Sequence, residues 1–254
     1  MKNAIREFLN YTEKYDLKDE NIKRKQQHSL RVMEISSIIA KKLNLTHEQV
    51  EVATLIGLLH DISRFEQYKQ YKTYVDLKSF DHGDYGVVIL KKDIRKYIET
   101  DKFDQIIFKA IKNHNKFKIE EGLTDEEEIF AKIIRDADKI DILYEATGIF
   151  WKDIKNEIEK STISDEALEQ FNKETTIKNK KNIQIENKVD IVIRTMALIF
   201  DLNYKTSFEI IKKEDYINKI IERFEFENER TKLEIENIKN NAYKFINKKL
   251  KETE

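Results

Sequence analysis

Four of the chain's five histidines, His28, His60, His82 and His114, fall into one spaced order. A carboxylate sits beside the second, and the acidic cluster Asp136-Ala137-Asp138 follows the last. The dipeptide His60-Asp61 ends the apolar run Leu55-Ile56-Gly57-Leu58-Leu59, which carries an imidazole and a carboxylate together into the predicted core. A buried carboxylate without a partner is costly, and the usual compensations are a hydrogen-bonded group or a metal ion. A lone histidine on an apolar stripe is most often a hydrogen-bonded core residue; four in series with acidic residues point to a metal. Imidazole and carboxylate together suit Mn, Fe, Co, Ni or Zn, and the carboxylate content favours the harder ions. At this point Asp136 and Asp138 are both candidate ligands. His47 falls in the first turn of a predicted helix and carries no assigned role.

The elements that must deliver these side chains read as helices. A first amphipathic helix is predicted over 3–15 and a second from about Asn21 to Leu43, where His28 lies one turn before Val32 on the stripe continued by Ile35 and Ile39. Thr46-His47-Glu48-Gln49 has the form of a capping box opening a third helix that runs to about Ser63. The stretch 64–81 alternates Phe65, Tyr68, Tyr71, Tyr74 and Phe80 with basic residues and is expected to be a packed, irregular loop. Asp81 can cap a helix carrying His82, Gly86, Ile89 and Leu90; a further helix over 103–114 aligns Ile107, Ile111 and His114; and Glu126–Tyr144 aligns Phe130, Ile134, Asp138 and Ile142. Each candidate ligand thus comes from or beside a different apolar stripe. Beyond residue 145 the chain stays helical but more polar, with a Lys-, Asn- and Glu-rich stretch over 160–188 and an apolar helix over Val189–Phe200. A final charged helix, Arg230–Lys251, is expected to place Leu233, Ile238, Ala242, Phe245 and Leu250 near one face. That face could fold back on the domain or support a homo-oligomer.

Composition agrees with an all-α fold. Of 254 residues, 37% are charged, with no Pro and 5 Gly, which suits long solvated helices joined by short polar loops. The 47 basic and 48 acidic residues leave a formal charge of -1, so no global field favours nucleic acid or an anionic membrane. With no Cys, disulfides and thiolate metal sites are excluded. No apolar run approaches a membrane span, and the segment Met1–Glu7 lacks the apolar stretch of a signal peptide, so a soluble cytoplasmic protein is the expectation.

In order and spacing, the pieces His28-Ser29-Leu30-Arg31-Val32, Leu58-Leu59-His60-Asp61-Ile62-Ser63-Arg64-Phe65, Asp81-His82-Gly83-Asp84, Ile111-Lys112-Asn113-His114 and Asp136-Ala137-Asp138-Lys139 resemble the HD-domain superfamily of metal-dependent phosphohydrolases. The resemblance covers roughly residues 20–145. It implies an all-α HD-domain helical bundle over 1–145, with additional C-terminal helices over 146–254 packed on it. It further implies that His28, His60, Asp61 and Asp138 bind a first metal, and that His82 and His114 hold a second, with Asp61 bridging. Asp138 is preferred because the family's ligand usually follows a small residue and precedes a basic one, as Ala137 and Lys139 do here; Asp136 and Asp141 then support or cap.

The cofactor implied is one or two divalent transition ions, Mn or Fe foremost, with Ni, Co, Zn or Mg compatible. Two ions about 3.5–4 Å apart activate a water and stabilise the attacking and leaving oxygens of an in-line displacement. The implied reaction is hydrolysis of a small phosphate ester or nucleotide, with Asp61 catalytic and Arg64 and Lys139 as charge clamps on phosphoryl oxygens. Arg64 could instead pair with Glu66 or Asp81. The chain departs from three subfamilies: the alarmone hydrolases' Glu-Asp pair is replaced by Arg64-Phe65-Glu66, and the Pro-containing signatures of the deoxynucleotide triphosphohydrolases and of the HD-GYP phosphodiesterases cannot occur without Pro. A second reading is a mixed-valent di-iron oxygenase on the same ligand order. A third is a non-catalytic regulatory module, whose sign would be a missing ligand.

Overall fold

The computed structural model describes residues 1–148, 150–177 and 187–252, and among these the regular secondary structure is entirely helical. Part of the polar stretch predicted over 160–188 therefore lies outside the described residues. The chain forms two compact units, Met1–Asp138 and Lys139–Glu254. No described helix is long and apolar enough to cross a membrane.

The first unit is built on α1 (Lys2–Thr12), α2 (Glu20–Lys42), α3 (His47–Leu59), α4 (Arg64–Tyr71), α5 (His82–Asp93), α6 (Asp104–Asn113) and the start of α7 (Asp125–Ala146). Asp19 opens α2 by accepting from Asn21 N, and Thr46 with Gln49 opens α3 through the predicted capping box. Seven residues of α3, Val52, Ala53 and Leu55 to Leu59, are buried, as expected of a helix surrounded on all sides by protein. Its closest neighbour is α2. At Gly57 a Cβ would come within 2.6 Å of Ser36 Oγ and 2.8 Å of Val32 O, so only glycine permits this approach, which brings His28 and His60 together.

The stretch 64–81 departs from expectation. Its first half is helix α4, anchored because Phe65 is fully buried against Phe8, Tyr11 and Tyr15. Lys72 ends the helix in the left-handed conformation, and a single 3-10 turn, Asp76–Lys78, follows. The buried Gln67 amide holds the return by donating to Asp76 Oδ1, Ser79 Oγ and Phe80 O at 2.8–3.1 Å. Clustered aromatics point to a loop in the sequence, but Phe65, anchored against the rings of Phe8, Tyr11 and Tyr15, instead stabilises a short helix.

The second unit packs mainly by apolar contact, although Asp141, Glu145 and Asp190 are also buried. Its longer elements are α8 (Lys155–Lys160), α9 (Asp165–Asn172), α10 (Val189–Met196), α11 (Lys205–Glu214), α12 (Tyr216–Ile221) and α13 (Glu229–Lys251). The predicted helix over Val189–Phe200 tightens to 3-10 geometry after Met196. Phe171, Phe200, Phe245 and Phe208 form a chain of edge-on ring contacts through the centre of this unit. Along α13 the buried stripe is Thr231, Ile235, Ile238, Ala242, Phe245 and Ile246, while Leu233 is 64% exposed. Leu233 thus lies off the face expected of it, because it stands two residues from Ile235 and positions two apart do not share a helix face.

Candidate metal centre

Side chains from five helical segments meet at one point inside the first unit. His28 comes from the middle of α2, His60 and Asp61 from the residues that follow α3, and His82 is the first residue of α5. His114 directly follows α6, and Asp138 comes from α7. All four imidazoles and Asp61 are buried. Asp138 keeps 17% of its side chain exposed, as do Lys25 and Arg64 at 15% and 14%, so solvent reaches the cluster on that side.

Asp61 divides the cluster in two. Its Oδ2 lies 3.6 Å from His28 Nε2 and 3.7 Å from His60 Nε2. Its Oδ1 lies 3.6 Å from both His82 Nε2 and His114 Nε2. The first histidine pair is 3.2 Å apart and is joined by Asp138 Oδ1 at 3.1 Å from His28 and 3.6 Å from His60. The second pair is 3.0 Å apart. Asp136, also buried, lies two positions from Asp138 on α7, and helix geometry turns the two carboxylates to different faces. Asp138 is the one at the histidines.

The protonation pattern of these rings fits a cation. His60 Nδ1 faces Gly57 O at 2.8 Å, and His114 Nδ1 faces Ile111 O at 2.6 Å. Carbonyls only accept, so the ring proton sits on Nδ1 and Nε2 presents a lone pair to the centre. His82 Nδ1 is turned in the same way to Asp76 Oδ2 at 2.6 Å. Burial pushes the pKa of His60 down and that of His82 down to about 4, so both rings are neutral near pH 7. Two lone pairs 3.0 Å apart cannot bond to each other, and Asp61 Oδ1 beside them is buried with no hydrogen-bond partner. Donors about 2.0–2.2 Å from one ion stand about 2.8–3.6 Å apart, close to the separations seen here. The donor atoms of His28, His60 and Asp138 all lie within 4.8 Å of one another, and so do those of His60, Asp61 and His114.

A family model described as an HD domain matches residues 26–143. Residues 26–143 are an HD domain. No curated protein and no solved structure matches the chain. HD domains bind divalent metals, and the histidine and aspartate clusters here are compatible with that chemistry.

Around this HD-domain centre the structure adds residues that the sequence pattern did not single out. Lys25 Nζ lies 2.8 Å from Asp61 Oδ2. Burial acts to raise the pKa of Asp61, but Lys25, His60 and Arg64 outweigh it and hold the carboxyl well below its usual range. Asp138 is held low in the same way, against its burial, by His28 and His60. Lys25 stands one helical turn before His28, so the signal was its i−3 position on the histidine's own face.

The two predicted clamps already have partners. Arg64 NH1 donates to Gln67 Oε1, Tyr74 O and Asp76 Oδ1 at 2.6–2.9 Å, while its Nε stands 3.4 Å from Asp61 Oδ1. The partner is Asp76 rather than Glu66 or Asp81, because the left-handed turn at Lys72 folds the chain back over Arg64. Lys139, in the second unit, pairs with Asp201 at 2.8 Å.

Proposed function

We propose that the chain is a metal-dependent phosphohydrolase acting on a small phosphate ester or nucleotide. His28, His60, Asp61 and Asp138 would hold one divalent cation, and His82 and His114 a second, shared through Asp61. The observation that carries this reading is Asp61 itself, whose two oxygens face two separate imidazole pairs. Bound cations supply Lewis acidity, which activates water and stabilises charge on phosphoryl oxygens.

The chain's own residues do the rest. Burial of the four imidazoles and Asp61 strengthens the electrostatic contacts among them, while Asp138, Lys25 and Arg64 keep part of their surface in water. Lys25 and Arg64 border the accessible side and make it cationic, suited to a phosphate anion. Arg64, fixed by Asp76 and Gln67, supports Asp61, and Lys25 is the better placed to meet a phosphoryl oxygen.

The test is a screen of phosphomonoesters, phosphodiesters and nucleotides with Mn-loaded protein, reading phosphate release with and without a chelator. Chelator-sensitive turnover of one class is expected. A protein that retains its metal and hydrolyses none of these esters would overturn the proposal. The second histidine pair also favours a di-iron reading, in which an oxygenase acts on a small polyol or phosphonate. Aerobic, iron-loaded protein giving a mixed-valent paramagnetic signal with O2 consumption would select that reading instead.

A further inference from the structure

His82 differs from His60 and His114 in its place on its helix. His60 and His114 each follow a helix, so a carbonyl three residues back accepts the Nδ1 proton within the same turn. Those acceptors come with the helix. His82 is the first residue of α5, with no helical turn before it, and its acceptor must come from another segment. That acceptor is Asp76, on the 3-10 turn after α4, with Oδ2 at 2.6 Å from His82 Nδ1. Asp76 Oδ1 is in turn held by Arg64 NH1 and by Gln67 Nε2, both at 2.9 Å. Burial acts to raise its pKa, but His82, Arg64 and Gln67 keep Asp76 well below the usual carboxylate range, so it is an acceptor at neutral pH. Ser63 Oγ, donating to His82 O at 2.6 Å, pins the backbone but leaves the ring free to rotate.

We propose that Asp76 is a positioning residue whose carboxylate, rather than the order of segment 72–81 as such, fixes the His82 ring for the His82/His114 metal position, whereas the His28/His60/Asp138 position does not use it. A carboxylate accepting an imidazole N–H fixes the ring's tautomer and direction and raises the basicity of the other nitrogen, and losing such a partner typically weakens metal binding about ten- to a hundredfold. The inference rests on the two-position reading of the centre, but it concerns metal binding and not the reaction catalysed.

The experiment uses the full chain, stripped by a chelator and titrated with Mn2+ alone, with metal per chain measured after gel filtration and spin coupling by electron paramagnetic resonance. The unaltered chain is expected to bind two equivalents as a coupled pair. Asp76→Asn should keep one at unchanged affinity and bind the other about ten- to a hundredfold more weakly, leaving an isolated Mn2+ signal. Asp76→Glu should recover part of the loss. Gln67→Ala loosens the same segment while leaving the carboxylate in place, and should weaken the second equivalent far less than Asp76→Asn. Two equivalents at full affinity in Asp76→Asn, or equal loss of both, overturns the role of Asp76 and leaves the proposed hydrolase intact. Equal effects of Gln67→Ala and Asp76→Asn assign the effect to segment order and also overturn it. One equivalent in the unaltered chain overturns the two-position centre together with this inference, and none removes the metal-dependent function as well.

Discussion

The two units put different materials at their centres. In the first, the middle of the fold holds four imidazoles, two carboxylates and a lysine, all partly or fully withdrawn from water. In the second, the middle is a run of phenylalanine rings from Phe171 to Phe208. Buried polar groups are costly unless each finds a partner, whereas packed rings stabilise by burial alone. A titratable cluster thus lies within the apolar core of the first unit, whereas the second is held mainly by apolar packing, with Asp141, Glu145 and Asp190 among its buried polar groups. Substitutions in the two centres should therefore fail in different ways.

Asp61→Ala should have the largest effect. It removes the group common to both donor sets, so metal retention and turnover should both fall to background, read by metal analysis and by assay on the same sample. A variant still holding two metals would break the contrast. Phe245→Ala in the second unit should cost about 3–5 kcal/mol of stability in denaturant unfolding. Its metal content per folded chain should be unchanged; a parallel loss of metal would show that the centres are not separable. Gly57→Ala should cost about 1–3 kcal/mol, because its methyl group meets Ser36 and the α2 backbone. Here stability and metal affinity should fall together, since the same contact sets the His28–His60 spacing; loss of stability alone would separate packing from the site. Leu233→Ser, on the solvent side of α13, should stay within about 0.5 kcal/mol of the unaltered chain in thermal melts. A larger loss would mean that Leu233 is covered by a partner.

Much of the first unit was legible in the sequence because its signals are local or periodic. The Thr46 capping box, the Asp81 cap and the stripes that carry His28, His114 and Asp138 each lie within a few residues of what they control. The site's supporting cast was less legible. Lys25 reaches Asp61 across 36 positions, and Asp76 reaches His82 only because α4 ends in a left-handed residue. The i−3 spacing of Lys25 marks its face but not its partner, and the Asp76 contact leaves no periodic trace. Helix α4 is not legible in the sequence because its polar face resembles a loop, while its stability comes from rings on α1 and the turn after it. Leu233 is misleading in the sequence because its helix carries charges on nearly every face, so a one-position shift of the stripe changes the composition little.

Lys25 also sets the charge balance of the centre. Its ammonium lies on the same Asp61 oxygen that faces His28 and His60, so that carboxylate already has a counter-charge supplied by the chain itself. The first unit thus neutralises that oxygen with one of its own side chains, and a cation bound there as proposed would compete with the Lys25 ammonium for it.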